Sequence, residues 1–399
     1  MAAHLTDWLH LFFRWFHIIV GAAWIGTSFY FNWLNNSLRP PAEPRKGIAG
    51  HLMAVHGGAF YEVLKYKGAP EKLPETLHWF KWEAYLTWIT GVSLLVVVYY
   101  FNARGYLIDP SLTELDPWQA VGIGIGTLAF SWLSYDALCR SPLANMPGLF
   151  AVLGFALATL VAWGLTEVFS DRAAYIHVGA AIGTIMAGNV FFVIIPSQRY
   201  MVNALLDGKE PDTTKGREGA LRSLHNNYLT LPVLFIMISS HFPMTYGHTY
   251  NWLILAALSL IGATVRHWFN LRGQGHRNVW ILPMAALAMI ALALVSAPRS
   301  VSSQNEKGVA LTPVPFSEVS TIITHRCLPC HSKNPTHPSF PAAPAGIMYD
   351  TPEQVRAQRE KIHSAAVVNK IMPLGNLTQI TEEERSKLGL WIEQGAELP

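Results

Sequence analysis

Residues 9–33 read LHLFFRWFHIIVGAAWIGTSFYFNW, a predominantly apolar run. As a helix, this run is long enough to cross the roughly 30 Å of hydrocarbon in a bilayer. The residues before it contain no Lys or Arg, so we expect the run to be retained as a span and not cleaved as a signal peptide. Seven further runs of this kind occur at 83–101, 118–138, 147–169, 174–195, 224–242, 251–271 and 279–297. The sequence therefore predicts an all-α fold built on an eight-helix transmembrane bundle.

The composition divides the chain into two parts. Only 14% of all residues are charged and 51% are hydrophobic, whereas soluble proteins carry roughly 25% charged residues. The formal net charge of +3 is too small to indicate nucleic-acid binding. The apolar character ends near residue 298, and Pro, Lys and Glu become frequent after it. We therefore expect a transmembrane domain at 1–298, a linker at 299–315 and a soluble domain at 316–399.

The soluble domain contains the sequence CLPCH at residues 327–331, the C-x-x-C-H pattern of covalent c-type haem attachment. Cys327 and Cys330 can each form a thioether to one porphyrin edge, and the adjacent His331 is then held beneath the iron as an axial ligand. A redox-active dithiol is the alternative interpretation, but it leaves His331 unexplained. We predict one covalent haem c.

The second iron ligand is expected to be a methionine, which raises the reduction potential of the haem. Met372 and Met348 are available. We favour Met372, because the Pro and Gly that follow it predict an irregular loop able to present its sulfur. The domain resembles a small class I-type cytochrome c, with helices before the motif, near 352–370 and from Thr381, where Glu384 completes a capping box.

The distribution of Lys and Arg predicts the orientation of the chain. Loops around 35–82, 199–222 and 272–277 are rich in Lys and Arg, whereas the alternating loops contain few. Because positively charged loops stay in the cytoplasm, we expect both termini to be periplasmic in a bacterial inner membrane. The periplasm is also where bacteria attach c-type haem, so the two predictions agree.

Ionisable residues within the spans are costly and mark functional sites. The orientation divides them into a layer near the periplasm and a layer near the cytoplasm. The outer layer contains His10, Arg14, His17, Glu167, His177 and His241, and the inner layer contains Glu83, Asp136, His225, Arg266 and His267.

Three interpretations of the membrane histidines remain open. They could form hydrogen bonds between helices. Facing pairs, for example His17 with His177, could be axial ligands of a b-type haem, which would be a second cofactor. Some of them, together with Arg14, Glu83 or Arg266, could instead form a pocket for a planar polar substrate. Glycines near His17 and His177 would allow a flat ring to approach the backbone, although close helix packing explains them equally well.

The first cytoplasmic loop mixes aromatic residues with glycine and charge. Residues 56–66 read HGGAFYEVLKY. We expect either an amphipathic segment at the membrane interface or a gate for a substrate.

The order of these parts resembles a known family. Residues 14–31 read RWFHIIVGAAWIGTSFYF, and eight spans followed by a cytochrome c domain are similar to the membrane-bound, cytochrome c-linked urate oxidases of bacterial purine breakdown. The resemblance implies oxidation of urate with water to 5-hydroxyisourate, without hydrogen peroxide. It further implies that electrons leave through the c haem to the respiratory chain, by a periplasmic cytochrome or a terminal oxidase.

The site residues that this resemblance implies are an anion-holding cation and a base. Arg14 or Arg266 would hold the urate anion, and His17, His225 or Glu83 would be the base. The start of the first helix is also similar to the integral-membrane protoporphyrinogen oxidases, which puts His17 forward as a b-haem ligand. A urate site in the inner layer would lie far from a periplasmic haem, so either the site is in the outer layer or a b haem bridges the gap.

Two other functions fit the same features. The chain could be a quinol-linked cytochrome anchor with no substrate chemistry of its own, or a transporter that senses redox state through its cytochrome. An oligomer is compatible with any of the three.

Overall fold

The computed structural model describes residues 2–70, 72–297, 313–338, 340 and 342–398. Most of the linker expected at 299–315 therefore lies outside the described residues. The helices of the N-terminal part, which we call the bundle, are α1 Ala2–Ser37, α2 Trp82–Leu94, α3 Ala103–Tyr106, α4 Pro117–Arg140, α5 Pro147–Thr166, α6 Asp171–Gly188, α7 Ile195–Leu206, α8 Thr213–Ile238, α9 Pro243–Tyr246, α10 Asn251–Gly273 and α11 Ile281–Val295. Two π-helical turns, Leu95–Tyr100 and Asn189–Ile194, extend α2 and join α6 to α7.

Each of the eight predicted spans lies on a helix, but not all of these helices are long and apolar enough to cross a membrane. Within the described part of the chain six are, by length and composition: His4–Ser37, Trp82–Tyr100, Pro117–Arg140, Pro147–Thr166, Asp171–Leu206 and Asn251–Gly273. Polar residues interrupt α8, and α11 has 15 residues, fewer than the roughly 20 that a span requires. The number of eight spans stays a prediction.

The loop between α1 and α2 corrects the expectation of an all-α fold. Strands β1 Ile48–His56 and β2 Ala59–Tyr66 form an antiparallel hairpin. Both residues of its two-residue turn have positive φ, 59° at Gly57 and 80° at Gly58, which is the requirement of a type I′ turn. The segment is therefore a hairpin, and its role as an interfacial segment or as a substrate gate stays a prediction.

Helix α6 forms the centre of the bundle. It packs against α2, α4, α5 and α8, and ten of its residues are buried. The largest apolar cluster joins its first turns to the π-helical turn after α2, through Tyr99, Phe169 and Tyr175. By contrast, α11 and the outward faces of α4 and α5 expose large apolar side chains. Residues at the start of α6 consequently lie among several helices.

The C-terminal part, residues 313–398, is called the module. Its helices are α12 Phe316–Arg326, α13 Pro352–Ala357, α14 Arg359–Ile362 and α15 Glu382–Glu393, and its core is formed by residues such as Val319, Leu388 and Trp391. The predicted capping box is confirmed, because the Thr381 hydroxyl accepts from the Glu384 amide and the Glu384 carboxylate accepts from the Thr381 amide. The module packs against α3, which identifies the module-facing end of the bundle.

Candidate functional site

A cavity, which we call the bundle cavity, lies between α1, α2, α6 and α8. Its volume of about 300 Å³ is at the lower limit of typical small-molecule sites. Most of its lining is apolar, and the polar side chains that reach it include Arg14, His17, Thr87, Tyr99, Arg172, Ser240 and His241. The structure thus brings together Arg14, His17 and His241, three of the residues singled out from the sequence.

The imidazole of His17 is oriented by a threonine on α2. Its Nδ1 lies 2.9 Å from Oγ1 of Thr90. The Thr90 hydroxyl donates its own proton to the carbonyl of Leu86 at 2.7 Å, so it accepts from Nδ1–H of His17. This tautomer, assigned from the hydrogen bonds, leaves Nε2 of His17 with a lone pair. A proton acceptor is therefore available at the bundle cavity.

Glycines beside the bundle cavity serve two different purposes. A Cβ added at Gly91 would lie 3.1 Å from Cε1 of His17, and one at Gly179 would lie 2.5 Å from Cγ2 of Ile236. At these two positions glycine permits close packing. A Cβ at Gly183 would meet nothing within 4 Å, and Gly183 lines the cavity. Of these three glycines, Gly183 fits the expectation that glycine leaves room for a flat ring.

Two guanidinium groups face the bundle cavity without a counter-ion. Arg14 and Arg172 both line it and lie close enough to repel each other. Neither forms an ion pair with a carboxylate among the described residues, and Nε of Arg172 is buried without a hydrogen-bond partner. Arg172 is half-buried and Arg14 is exposed, and the repulsion between two like charges held at one cavity is offset when an anion binds. The arrangement favours an anionic ligand.

A second cavity, which we call the module cavity, lies beside the C-x-x-C-H motif. Cys327, Cys330, His331 and Met372 all line it, whereas Met348 is not part of its lining. Nδ1 of His331 lies 2.9 Å from the carbonyl oxygen of Ile347. A proton on Nδ1 would bond this carbonyl and leave Nε2 of His331 as the coordinating atom. The four side chains predicted to hold the haem are brought together, and their role stays a prediction.

The environment of the two cysteines does not suit a redox-active dithiol. Burial raises the pKa of the Cys327 thiol to about 12 and also raises the pKa of Cys330. The reactive species in thiol–disulfide exchange is the thiolate, and catalytic dithiols have a lowered pKa. The alternative interpretation of the motif is therefore disfavoured.

The two cavities are neighbours. Arg172 lines both of them, and Tyr106 of α3 lines the module cavity. A ligand in the bundle cavity would thus be separated from the module cavity by a few side chains at the module-facing end.

His177 does not face the bundle cavity, which corrects the expectation of a b-haem pair with His17. It is completely buried, its Nδ1 lies 2.8 Å from the carbonyl oxygen of Ala173, and its Nε2 lies 3.2 Å from the Tyr100 hydroxyl. Nδ1 is engaged with a backbone carbonyl, and Nε2 contacts Tyr100 within the core and does not reach the bundle cavity. The residues present do not fit a b haem held by His17 and His177.

The candidates of the predicted inner layer also lie elsewhere. His225 bonds the Tyr135 hydroxyl through Nδ1 at 2.8 Å. Arg266 donates to Asn227 Oδ1 at 2.8 Å, and His267 bonds a tyrosine hydroxyl on α8. Glu83 lines neither cavity. The structure does not bring these four residues into one site, and the roles that the resemblance implies for Arg266, His225 and Glu83 stay predictions.

Sequence reasoning missed Arg172 and Tyr99. Arg172 was counted only as a loop charge next to Asp171. One signal was present: Arg172 lies in the first turn of α6, where the helix dipole disfavours a cation, and it precedes an apolar stretch. Tyr99 carried no signal, because it lies within an apolar run and only the packing of the helices places it at the cavity.

Comparison with known proteins agrees with the resemblance for the bundle. The family model described as "Urate oxidase N-terminal" matches residues 3–297, which cover α1 to α11 and exclude the module. Neither a curated protein nor a solved structure matches the chain.

Proposed function

The chain belongs to the family described as urate oxidase N-terminal, and we propose that it oxidises urate in the bundle cavity. Urate and water give 5-hydroxyisourate, two protons and two electrons. The electrons pass to a c-type haem in the module and then to a periplasmic cytochrome or a terminal oxidase, so hydrogen peroxide is not formed. The observation that carries the proposal is the pair Arg14 and Arg172, two cations with no carboxylate partner in the described part of the chain, beside a histidine with a lone pair.

Urate suits the bundle cavity by charge and shape. It is a planar molecule that is anionic at neutral pH, and guanidinium groups bind planar anions through parallel hydrogen bonds. Arg14 and Arg172 would bind its anionic oxygen and nitrogen atoms. The apolar walls and the space beside Gly183 would accept the flat rings.

Proton transfer is the role proposed for His17. Urate releases one proton as it is oxidised, and the water that adds at C5 releases another. His17 would accept one of these protons through Nε2, while the Thr90 hydroxyl stabilises the imidazolium through Nδ1–H. A base held in one tautomer by a second group is the usual arrangement in general base catalysis.

The donor set of the module cavity fits a covalently attached haem. Cys327 and Cys330 provide two thiols at the attachment spacing, and His331 and Met372 would hold the iron. When bound, the haem supplies a one-electron acceptor. Arg385 fixes the methionine loop, since its guanidinium donates to the carbonyl of Met372 at 2.8 Å and also to that of Ala366.

We place the bundle in a bilayer with the module in the periplasm. The support comes from six helices long and apolar enough to span and from the Lys and Arg of the loops. The module packs against α3, and Gly247 at the end of α9 faces the carbonyl of Asn369 in the module. Helix α3 and Gly247 lie in loops that carry few Lys and Arg. Because loops rich in Lys and Arg stay in the cytoplasm, we expect this end of the bundle to face the periplasm.

Anaerobic addition of urate to the purified, haem-loaded protein tests the proposal. We expect the absorption band of reduced c haem to appear, with 5-hydroxyisourate as the product. No reduction by urate, together with rapid reduction by a quinol, would contradict the proposal and favour the quinol-linked anchor.

A further inference from the structure

The module is attached to the bundle through the loop that carries Met372. Residues Leu374–Asn376 pack against α3. A Cβ added at Gly375 would lie 2.7 Å from the carbonyl oxygen of Ile108, and Gly247 is in direct contact with the carbonyl of Asn369. Electrostatic attraction between Asp109 and Arg385 joins the same two surfaces. The module cavity is therefore held at a fixed place on the bundle.

Two aromatic side chains connect the cavities at this place. Tyr99 lines the bundle cavity, and Tyr106 lines the module cavity. Their ring centroids are 6.3 Å apart, with an edge-to-face angle of 75°, which is within the range of directly interacting aromatic rings. Arg172 lies beside the phenol of Tyr99 and lines both cavities. The two rings thus form a continuous aromatic contact from one cavity to the other.

We infer that the side chains of Tyr99 and Tyr106 carry the electrons of urate from the bundle cavity to the module cavity. This inference rests on the proposed function. Each urate loses two electrons and two protons and gains one water, whereas a haem in the module cavity would accept one electron at a time and would be reoxidised by the external acceptor. Urate must therefore pass two electrons in succession. The contact between Tyr99 and Tyr106 must be maintained while the half-oxidised substrate is bound. Filled π orbitals in contact pass electrons more readily than saturated side chains.

A neighbouring tyrosine provides a matched control. Tyr100 follows Tyr99 in the same π-helical turn, but its hydroxyl contacts His177 and it lines neither cavity. If electrons pass through Tyr99 and Tyr106, replacing Tyr106 should slow electron transfer and replacing Tyr100 should not.

Anaerobic stopped-flow reduction of the full-length, haem-loaded protein tests this path. In Tyr106→Leu we expect urate to reduce the haem about tenfold more slowly or worse, with an unchanged affinity for urate. The haem spectrum, its midpoint potential and its reduction by ascorbate should stay as in the wild type. Tyr100→Leu should be reduced by urate at the wild-type rate.

A second variant perturbs the path without touching an aromatic residue. Gly247→Ala should push the module away at Asn369 and slow reduction by urate, but not reduction by ascorbate. Its control is Gly122→Ala, where a Cβ meets nothing within 4 Å. A wild-type rate in either Tyr106→Leu or Gly247→Ala, or equal slowing in Tyr100→Leu, would overturn the inference. If urate does not reduce the wild-type protein, the proposed function fails and the inference with it.

Discussion

At the scale of single residues, the guanidinium groups of Arg14 and Arg172 carry the binding argument. They lie at one cavity, repel each other and have no carboxylate partner among the described residues. An anion that binds beside both groups offsets their repulsion, whereas a neutral ligand does not. The pair therefore predicts that the protein binds the urate anion more tightly than uncharged purines.

Removing one of the two cations should weaken urate binding. Because a hydrogen bond to a charged group contributes about 1.5–3 kcal/mol, Arg14→Gln should raise the dissociation constant roughly 10- to 100-fold. Equilibrium binding to the haem-loaded protein measures the effect. The control is Arg104→Gln, an exposed arginine at the same end, which should bind urate normally. Equal affinity in Arg14→Gln would place the urate site elsewhere.

The hydroxyl of Thr90 should affect the rate more than the binding. Thr90→Val keeps the shape of the side chain but removes the acceptor of Nδ1–H of His17, so the imidazolium is less stabilised. We expect kcat to fall by about tenfold with little change in KM, whereas Thr127→Val on an exposed face should change neither. Steady-state kinetics with urate would separate the two effects, and a change confined to KM would argue against His17 as the base.

Met372 is expected to determine the haem spectrum. Met372→Ala should abolish the absorption features of Met-ligated iron and lower the midpoint potential, because a thioether ligand favours the reduced state. Met348→Ala should leave both unchanged, since Met348 does not line the module cavity. The opposite pattern in the two variants would reverse the axial assignment.

At the scale of elements, the apolar runs predicted the positions of the helices well. Length and hydrophobicity are local properties, so each run could be read on its own. The hairpin at 48–66 was missed although its signal was present: Gly57-Gly58 is a two-residue turn between two strand-length segments. Its aromatic residues were interpreted as a membrane interface, and the turn was overlooked.

The contact between α4 and α8 depends on a buried ion pair. Arg222 donates to Asp136 at 2.5 Å and to Asn189 of the π-helical turn at 3.2 Å. Asp136→Asn would leave Arg222 without its counter-ion, and we expect a loss of roughly 3 kcal/mol in unfolding free energy. Thermal unfolding in detergent measures this loss. Asp207→Asn removes an exposed pair with Lys209 and should have almost no effect; similar melting of both variants would contradict the structural role of Asp136.

At the scale of the whole molecule, the sequence does not predict how the bundle and the module meet. The C-x-x-C-H motif and Met372 are recognisable because their chemistry lies in a short pattern. Arg14 and His17 were recognisable as costly charges within a span. Local sequence patterns do not encode the packing of α6 against α2 or of the module against α3. The roles proposed for Arg172, Tyr99 and Tyr106 depend on this packing. The same packing buries His177 in the core, apart from the cavity that His17 lines.

The most direct measurement of the central claim is an anaerobic titration of the haem-loaded protein with urate in ¹⁸O-labelled water. The proposed mechanism predicts that one urate reduces two equivalents of c haem, that the 5-hydroxyisourate contains one labelled oxygen and that no hydrogen peroxide appears. Oxidation of urate only after oxygen is admitted, with hydrogen peroxide as a product and without reduction of the haem, would contradict it.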